Sequence, residues 1–177
     1  MNTGLARRSP ATRAGDGVAL GRDGGDTGAV RRVEAEALVG ARREEVWQLY
    51  DDIENTPRWV PFVVEILYVS GPARVGTVYR ERTRLAGLPS TEQWEIVEHR
   101  PLTRQVHLSH AFNMESALII TFEGRGTGTW VHQAAELRSG LWGPLGWLHE
   151  LVMSVPAGWG VRAAVTGAKR AFEEGLR

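Results

Sequence analysis

The stretch Val78-Tyr-Arg-Glu-Arg-Thr-Arg-Leu-Ala-Gly-Leu-Pro-Ser-Thr-Glu-Gln-Trp-Glu-Ile-Val97 decides the fold. Its residues alternate in character with a period of two, which is the mark of a strand. Ala86-Gly-Leu-Pro89 interrupts the alternation with turn residues. Pairing Leu85 with Ser90 predicts a hairpin with Arg80 opposite Glu95 and with Arg82, Arg84 and Gln93 on the same side. The other side then carries Tyr79 opposite Ile96 and Glu81 opposite Trp94. The arginine side reads as a solvated outer face laced with cross-strand ion pairs, and the ring-bearing side as the inside.

Working outward, the chain from Val63 to Leu137 reads as consecutive short strands. Its breaks are Ser70-Gly-Pro72, the hairpin above, His99-Arg-Pro101, Asn113-Met-Glu115 and Gly124-Arg-Gly-Thr-Gly128. Connections this short permit hairpins and exclude parallel crossovers, so the sheet is antiparallel. Val106, Leu108, His110 and Phe112 are expected on its inner face, with Gln105, His107 and Ser109 outside. A three-residue turn at Asn113 to Glu115 brings Leu118, Ile120 and Phe122 to that inner face. For the last strand, Trp130/His132 and Val131/Ala135/Leu137 remain alternative inner sets, because a glycine-rich turn leaves the register free.

Before these strands, Val33, Ala35, Ala37 and Val39 alternate with Glu34 and Glu36 as in a half-buried strand. Val46, Leu49, Tyr50 and Ile53 then mark one face of a helix between Ala41 and Glu54, which Pro57 and Pro61 terminate. After Gly140 the helical period returns, with Val161, Val165, Ala168 and Phe172 preceded by Leu148, Val152, Val155 and Trp159. Pro156, Gly158 and Gly160 are expected to kink or interrupt it. The order predicts an α+β fold: a curved antiparallel sheet of about six to seven strands wrapped around a long C-terminal helix, with room for a ligand between them.

The 177 residues include 21 basic and 21 acidic ones, so no net field favours nucleic acid or an anionic membrane. Cysteine is absent, which excludes disulfides, iron–sulfur clusters, cysteine-ligated zinc and a cysteine nucleophile. No cofactor motif is legible, and no apolar run is long enough to span a bilayer. Residues 1–31 hold seven glycines, five arginines and three aspartates and read as an unstructured tail. Residues 32–177 then form one domain. The tail lacks the apolar run of a signal peptide, so the expected location is cytoplasmic.

Seven tryptophans invite a search for a ligand cavity. Its expected lining is Trp59, Tyr79, Trp94, Ile96, Val106, Leu108, Phe112, Val152, Val155 and Trp159. His107-Leu-Ser-His110 fails as a metal pair, since odd spacing on a strand sends the rings to opposite faces. Gly124-Arg-Gly-Thr-Gly128 precedes a strand and so lacks phosphate-binding geometry. Asp51, Asp52 and Glu54 read as a solvated helix end. Two groups remain as candidates for proton transfer: Glu81, which burial beside a ring would keep neutral, and His110.

The pattern Val46-Trp47…Asp52-x4-Pro57-x-Trp59-x-Pro61, then Gly76, Glu98-x-x-Pro101 and Gly128-Thr129, resembles the START-type helix-grip superfamily, or SRPBCC. Within it, the sequence is most similar to the polyketide cyclase/dehydrase-like branch. The resemblance implies an apolar cavity between sheet and last helix, with Asp52, Pro57 and Trp59 shaping the entrance from helix to strand. It also implies a hydrophobic small molecule as partner, since members include aromatase/cyclases, lipid and hormone carriers, and quinone-binding chaperones. The sequence departs from this pattern in its tail and in Leu141-Trp-Gly-Pro-Leu-Gly-Trp147. Two functions follow as expectations: a carrier or sensor of a polyketide-, lipid- or quinone-like molecule, or a cyclase/dehydrase using Glu81 or His110. A protein-interaction module on the outer face is weaker, that face being charged and mixed. Oligomeric state is not legible.

Overall fold

The computed structural model describes Leu20, residues 30–85 and residues 87–175. Among these residues seven strands form one antiparallel sheet: β1 (Arg31–Val39), β2 (Val63–Val69), β3 (Val78–Leu85), β4 (Leu88–Arg100), β5 (Arg104–Ala111), β6 (Met114–Arg125) and β7 (Gly128–Ser139). Their order across the sheet is β1-β7-β6-β5-β4-β3-β2. Helix α1 (Arg43–Asp51) and a 3-10 turn (Ile53–Arg58) lie between β1 and β2, and α2 (Gly143–Glu173) closes the chain. The expected helix-grip architecture is the observed one. The expected unstructured tail falls outside the described residues, apart from Leu20 and the chain from Val30 onward. Leu20 is buried and its N–H donates to Glu136 at 3.0 Å.

The two-residue connection of β3 to β4 corrects the predicted register. Leu85 pairs with Leu88, and Gly87 takes a positive φ of 83°, which suits glycine in so tight a turn. Tyr79 therefore faces Trp94, and Glu81 faces Glu92 instead of Trp94. Two fewer turn residues shift the pairing by an even number, so Tyr79 and Glu81 keep the inner face.

The β5–β6 turn has the opposite effect. Ala111 pairs with Met114, and Phe112 and Asn113 both take φ of 55°. This turn is one residue shorter than expected, and an odd change reverses a strand's faces. Gln105, His107 and Ser109 point inward, while Val106, Leu108 and His110 point outward. Val106 packs on the outer side with Ile119 and Ala134, and His110 is exposed. In β7, pairing of Val131 with Phe122 settles the open alternative in favour of Val131, Ala135 and Leu137.

Helix α2 runs through Pro156 without interruption. Its expected inner stripe is also rotated: Val152, Val155 and Trp159 are exposed, Val155 by 72%. Small residues face the sheet instead. A side chain at Gly158 would touch Val33 at 3.8 Å, whereas at Gly167 it would lie 1.9 Å from the Trp59 carbonyl oxygen. Val165, Ala168 and Ala171 continue this face into a core with Val46, Trp47, Tyr50, Trp59 and Phe122.

Two alanine substitutions should thus separate in sign. Gly167→Ala forces helix and Trp59 backbone apart and should lower stability by about 1–3 kcal/mol. Gly158→Ala makes an ordinary contact and should gain up to about 1 kcal/mol of helix propensity. Thermal unfolding of both variants measures this, and equal shifts would refute the account of how α2 docks.

Candidate functional site

A cavity of about 190 Å³ lies between the inner face of the sheet and the middle of α2. The helix contributes Met153, Pro156, Ala157, Gly160, Val161 and Ala164. Trp59, Tyr79, Trp94, Phe112 and Glu81 are among its lining residues. Ile96 is buried in a cluster with Tyr79, outside the lining. Val106, Leu108 and His110 lie on the other face of the sheet, and Val152 and Val155 on the exposed side of α2. Trp159 is half exposed, with its ring 5.8 Å from that of Phe62, which does line the cavity.

The reversed faces of β5 bring in polar groups that the sequence reading placed outside. His107 and Ser109 line the cavity, joined by Thr83 and Gln133. The asparagine at 113 was the available signal, since Asn tolerates the left-handed conformation that a two-residue hairpin needs. The alternation of β5 pointed the wrong way, because its polar side faces in.

A continuous chain of hydrogen bonds runs from the cavity to the end of α1. The Tyr79 hydroxyl meets His107 Nδ1 at 2.9 Å, and His107 Nε2 meets Gln105 Oε1 at 3.3 Å. Gln105 Nε2 donates to Asp51 Oδ1 at 2.9 Å, which also accepts from His99 Nε2 at 2.7 Å. Tyr79, His107 and Gln105 are all buried. Asp51 is thus no idle solvated helix end.

Burial sets the charges here. Desolvation, reinforced by the facing Glu92, pushes the Glu81 carboxyl up to about 8, against a hydrogen bond from the Trp94 indole that favours its anion. Burial raises Glu92 too, opposed by the Ser90 hydroxyl. His107 is pushed down to about 4, by burial first and by nearby His99 second. Tyr79 is raised well above the ordinary phenol value by burial and by the two glutamates. Five residues of the lining, Tyr50, Trp59, Thr83, Ser109 and Gln133, each carry a buried side-chain polar atom with no hydrogen-bond partner among the described residues. Among those residues no group of three acidic or histidine side chains could hold a metal, and no helix is long and apolar enough to cross a membrane.

A sheet gripping a C-terminal helix beside a mostly apolar, partly open space defines a class of ligand-cavity folds. The chain belongs to the polyketide cyclase/dehydrase and lipid transport family, which it matches over residues 30–177. Comparison with curated proteins gave no sequence match. Among solved structures, the fold is similar to that of the Zhui aromatase/cyclase from Streptomyces sp. R1128, with 14% identity over 84% of this chain and 97% of that one and a TM-score of 0.72. TTHA0849 from Thermus thermophilus is 20% identical over 83% of this chain and 100% of its own, with a TM-score of 0.67. A START superfamily protein from Mycobacterium smegmatis is 12% identical over 81% and 97%, at 0.65.

Glu81 and His107 give stability a worked pH dependence. Glu81 ionises near 4.5 when unfolded and about 8 when folded, so its contribution falls as pH rises between those values. His107 protonates near 6.5 unfolded and about 4 folded, so its contribution rises with pH across that window. The two oppose each other up to about pH 6.5, above which the Glu81 effect is no longer opposed by His107. The free energy of unfolding should therefore fall from pH 6.5 to 8 by at most about 1.4 kcal/mol per pH unit for one proton, and the melting temperature should fall with it. Glu81→Gln should flatten that limb; an unchanged slope would place the titration elsewhere.

Proposed function

We propose that the protein binds one hydrophobic or aromatic small molecule, polyketide-, lipid- or quinone-like, in the cavity between the sheet and α2. The observation that carries this reading is a lining of rings and aliphatic groups whose residues also hold unpartnered buried polar atoms, Tyr50 Oη, Trp59 Nε1, Thr83 Oγ1, Ser109 Oγ and Gln133 Oε1. A buried polar group left unpaired costs about 1–3 kcal/mol. A ligand with an apolar body and a few polar atoms recovers that cost, and such a lining is the usual make-up of a small-molecule site. Family membership and a fold shared with an aromatase/cyclase support the same reading.

Native mass spectrometry of the purified protein should reveal a bound apolar compound, and naphthoquinone should quench tryptophan fluorescence in the emptied protein. Trp94→Ala should reduce the quenching. Ala157→Phe, on the cavity side of α2, should weaken binding on the order of tenfold or more without unfolding the protein. Undiminished binding in Ala157→Phe would remove the ligand from this cavity.

One observation favours a second reading, in which the protein steers cyclisation or dehydration of a polyketide-like substrate. Glu81 holds a proton near neutral pH inside a largely apolar space, which suits it to donate to a carbonyl or a leaving hydroxyl. With His110 on the outer face, this reading rests on Glu81. Glu81→Gln should then lower turnover of a poly-β-ketone substrate by about 10²–10⁴-fold while sparing binding. Binding without turnover in the unaltered protein would leave the carrier.

A further inference from the structure

Resting on the cavity as the binding site, the hydrogen-bond chain beneath it determines what kind of polar group the ligand must carry. Asp51 is the last residue of α1, where a carboxylate meets the negative end of the helix dipole. Two donors, from Gln105 and His99, compensate it. The carboxylate can only accept, so the Gln105 amide must turn its NH2 toward Asp51 and its oxygen toward His107. That oxygen likewise only accepts, so His107 must carry its hydrogen on Nε2 and leave Nδ1 bare. The bare Nδ1 takes the Tyr79 hydroxyl hydrogen at 2.9 Å. One proton resides on the imidazole near neutral pH, since burial keeps His107 uncharged, and the directions along the chain are then all fixed.

We propose that Asp51, acting through Gln105 and His107, makes the Tyr79 hydroxyl an obligate acceptor, and that the cavity thereby selects ligands presenting a hydroxyl donor to Tyr79. The Tyr79 oxygen keeps a lone pair for the ligand, but its hydrogen is committed. An enol, phenol or alcohol can meet it; an ether or a bare carbonyl at the same place brings two acceptors together. The amide link passes polarisation and no proton, so the chain sets direction without acting as a proton wire. Tyr79 is the contact residue, and Asp51, Gln105 and His107 are positioning residues. Ser109 and Thr83 hydroxyls can rotate to give or to accept and impose no such choice.

Three probes of one shape test this by calorimetry: β-naphthol, its methyl ether and naphthalene. The unaltered protein should bind β-naphthol on the order of tenfold or more tighter than the ether, as one buried hydrogen bond implies. Tyr79→Phe should bring the two within about twofold while naphthalene binding stays. Asp51→Asn lets the Gln105 amide and the imidazole reverse, freeing the Tyr79 hydrogen toward the cavity. The preference for naphthol over ether should then shrink several-fold even though Asp51 touches no ligand. Nitrogen NMR of His107 should show hydrogen on Nε2 in the unaltered protein and a shift toward Nδ1 in Asp51→Asn. Equal binding of naphthol and ether, or hydrogen on Nδ1 in the unaltered protein, would overturn the proposal and leave the cavity reading standing. Failure of all three probes to bind would overturn the cavity reading and this proposal with it. Should Tyr79→Phe not fold, Asp51→Asn, whose altered side chain is one-third exposed, carries the test.

Discussion

Gly167 of α2 lies against the backbone carbonyl of Trp59, and that approach governs where the helix can sit. No other residue type fits there, since even a methyl group would overlap the oxygen. The contact places the second half of α2 on the core formed by α1, Trp59 and the far ends of β6 and β7. With that half anchored, the middle of the helix spans the inner face of the sheet and presents Met153, Ala157 and Val161 to the cavity. The cavity follows from one end of a helix being held close over a curved surface. Trp59 serves both roles, with its carbonyl under Gly167 and its ring in the cavity wall.

That geometry explains why the large apolar residues of α2 point away from the sheet. Leu148, Val152, Val155 and Trp159 repeat at helical spacing and form a convincing apolar stripe, yet they are exposed. The sheet-facing side is made of glycine, alanine and a few larger residues, because close approach needs small side chains more than apolar ones. Hydrophobicity alone cannot tell these two sides apart. The glycines carried the information, read in the sequence as helix breakers when they are contact points.

The legibility of the sheet turned on counting turn residues. Element order, antiparallel pairing and the inward placement of Tyr79, Glu81 and Trp94 were readable because each depends on alternation within a strand. The β3–β4 turn is two residues shorter than anticipated, which moved Glu81 opposite Glu92 but left it facing in. The β5–β6 turn is one residue shorter, and parity sent His110 out and His107 in. Since β5 carries its polar residues toward the cavity, the ordinary apolar-in rule fails there. Such a failure concentrates where a fold holds polar groups inside for use. Gln105, His107 and Ser109 are costly to bury and would be poor choices for a packed core, but they suit the floor of a binding site.

The charge state of that floor restricts what can enter. Near neutral pH, burial keeps Glu81 protonated and His107 unprotonated. No lysine or arginine lines the cavity among the described residues. An anionic ligand would lose its hydration on entry and find no cationic partner, a penalty that one or two neutral hydrogen bonds do not offset. An uncharged molecule with an apolar body loses little and gains the pairing of Thr83, Ser109 and Gln133. In the proposed reading, the same desolvation that moves Glu81 and His107 away from their solution values disfavours an anionic ligand, while the direction of the Tyr79–His107 hydrogen bond selects the polar group the ligand carries.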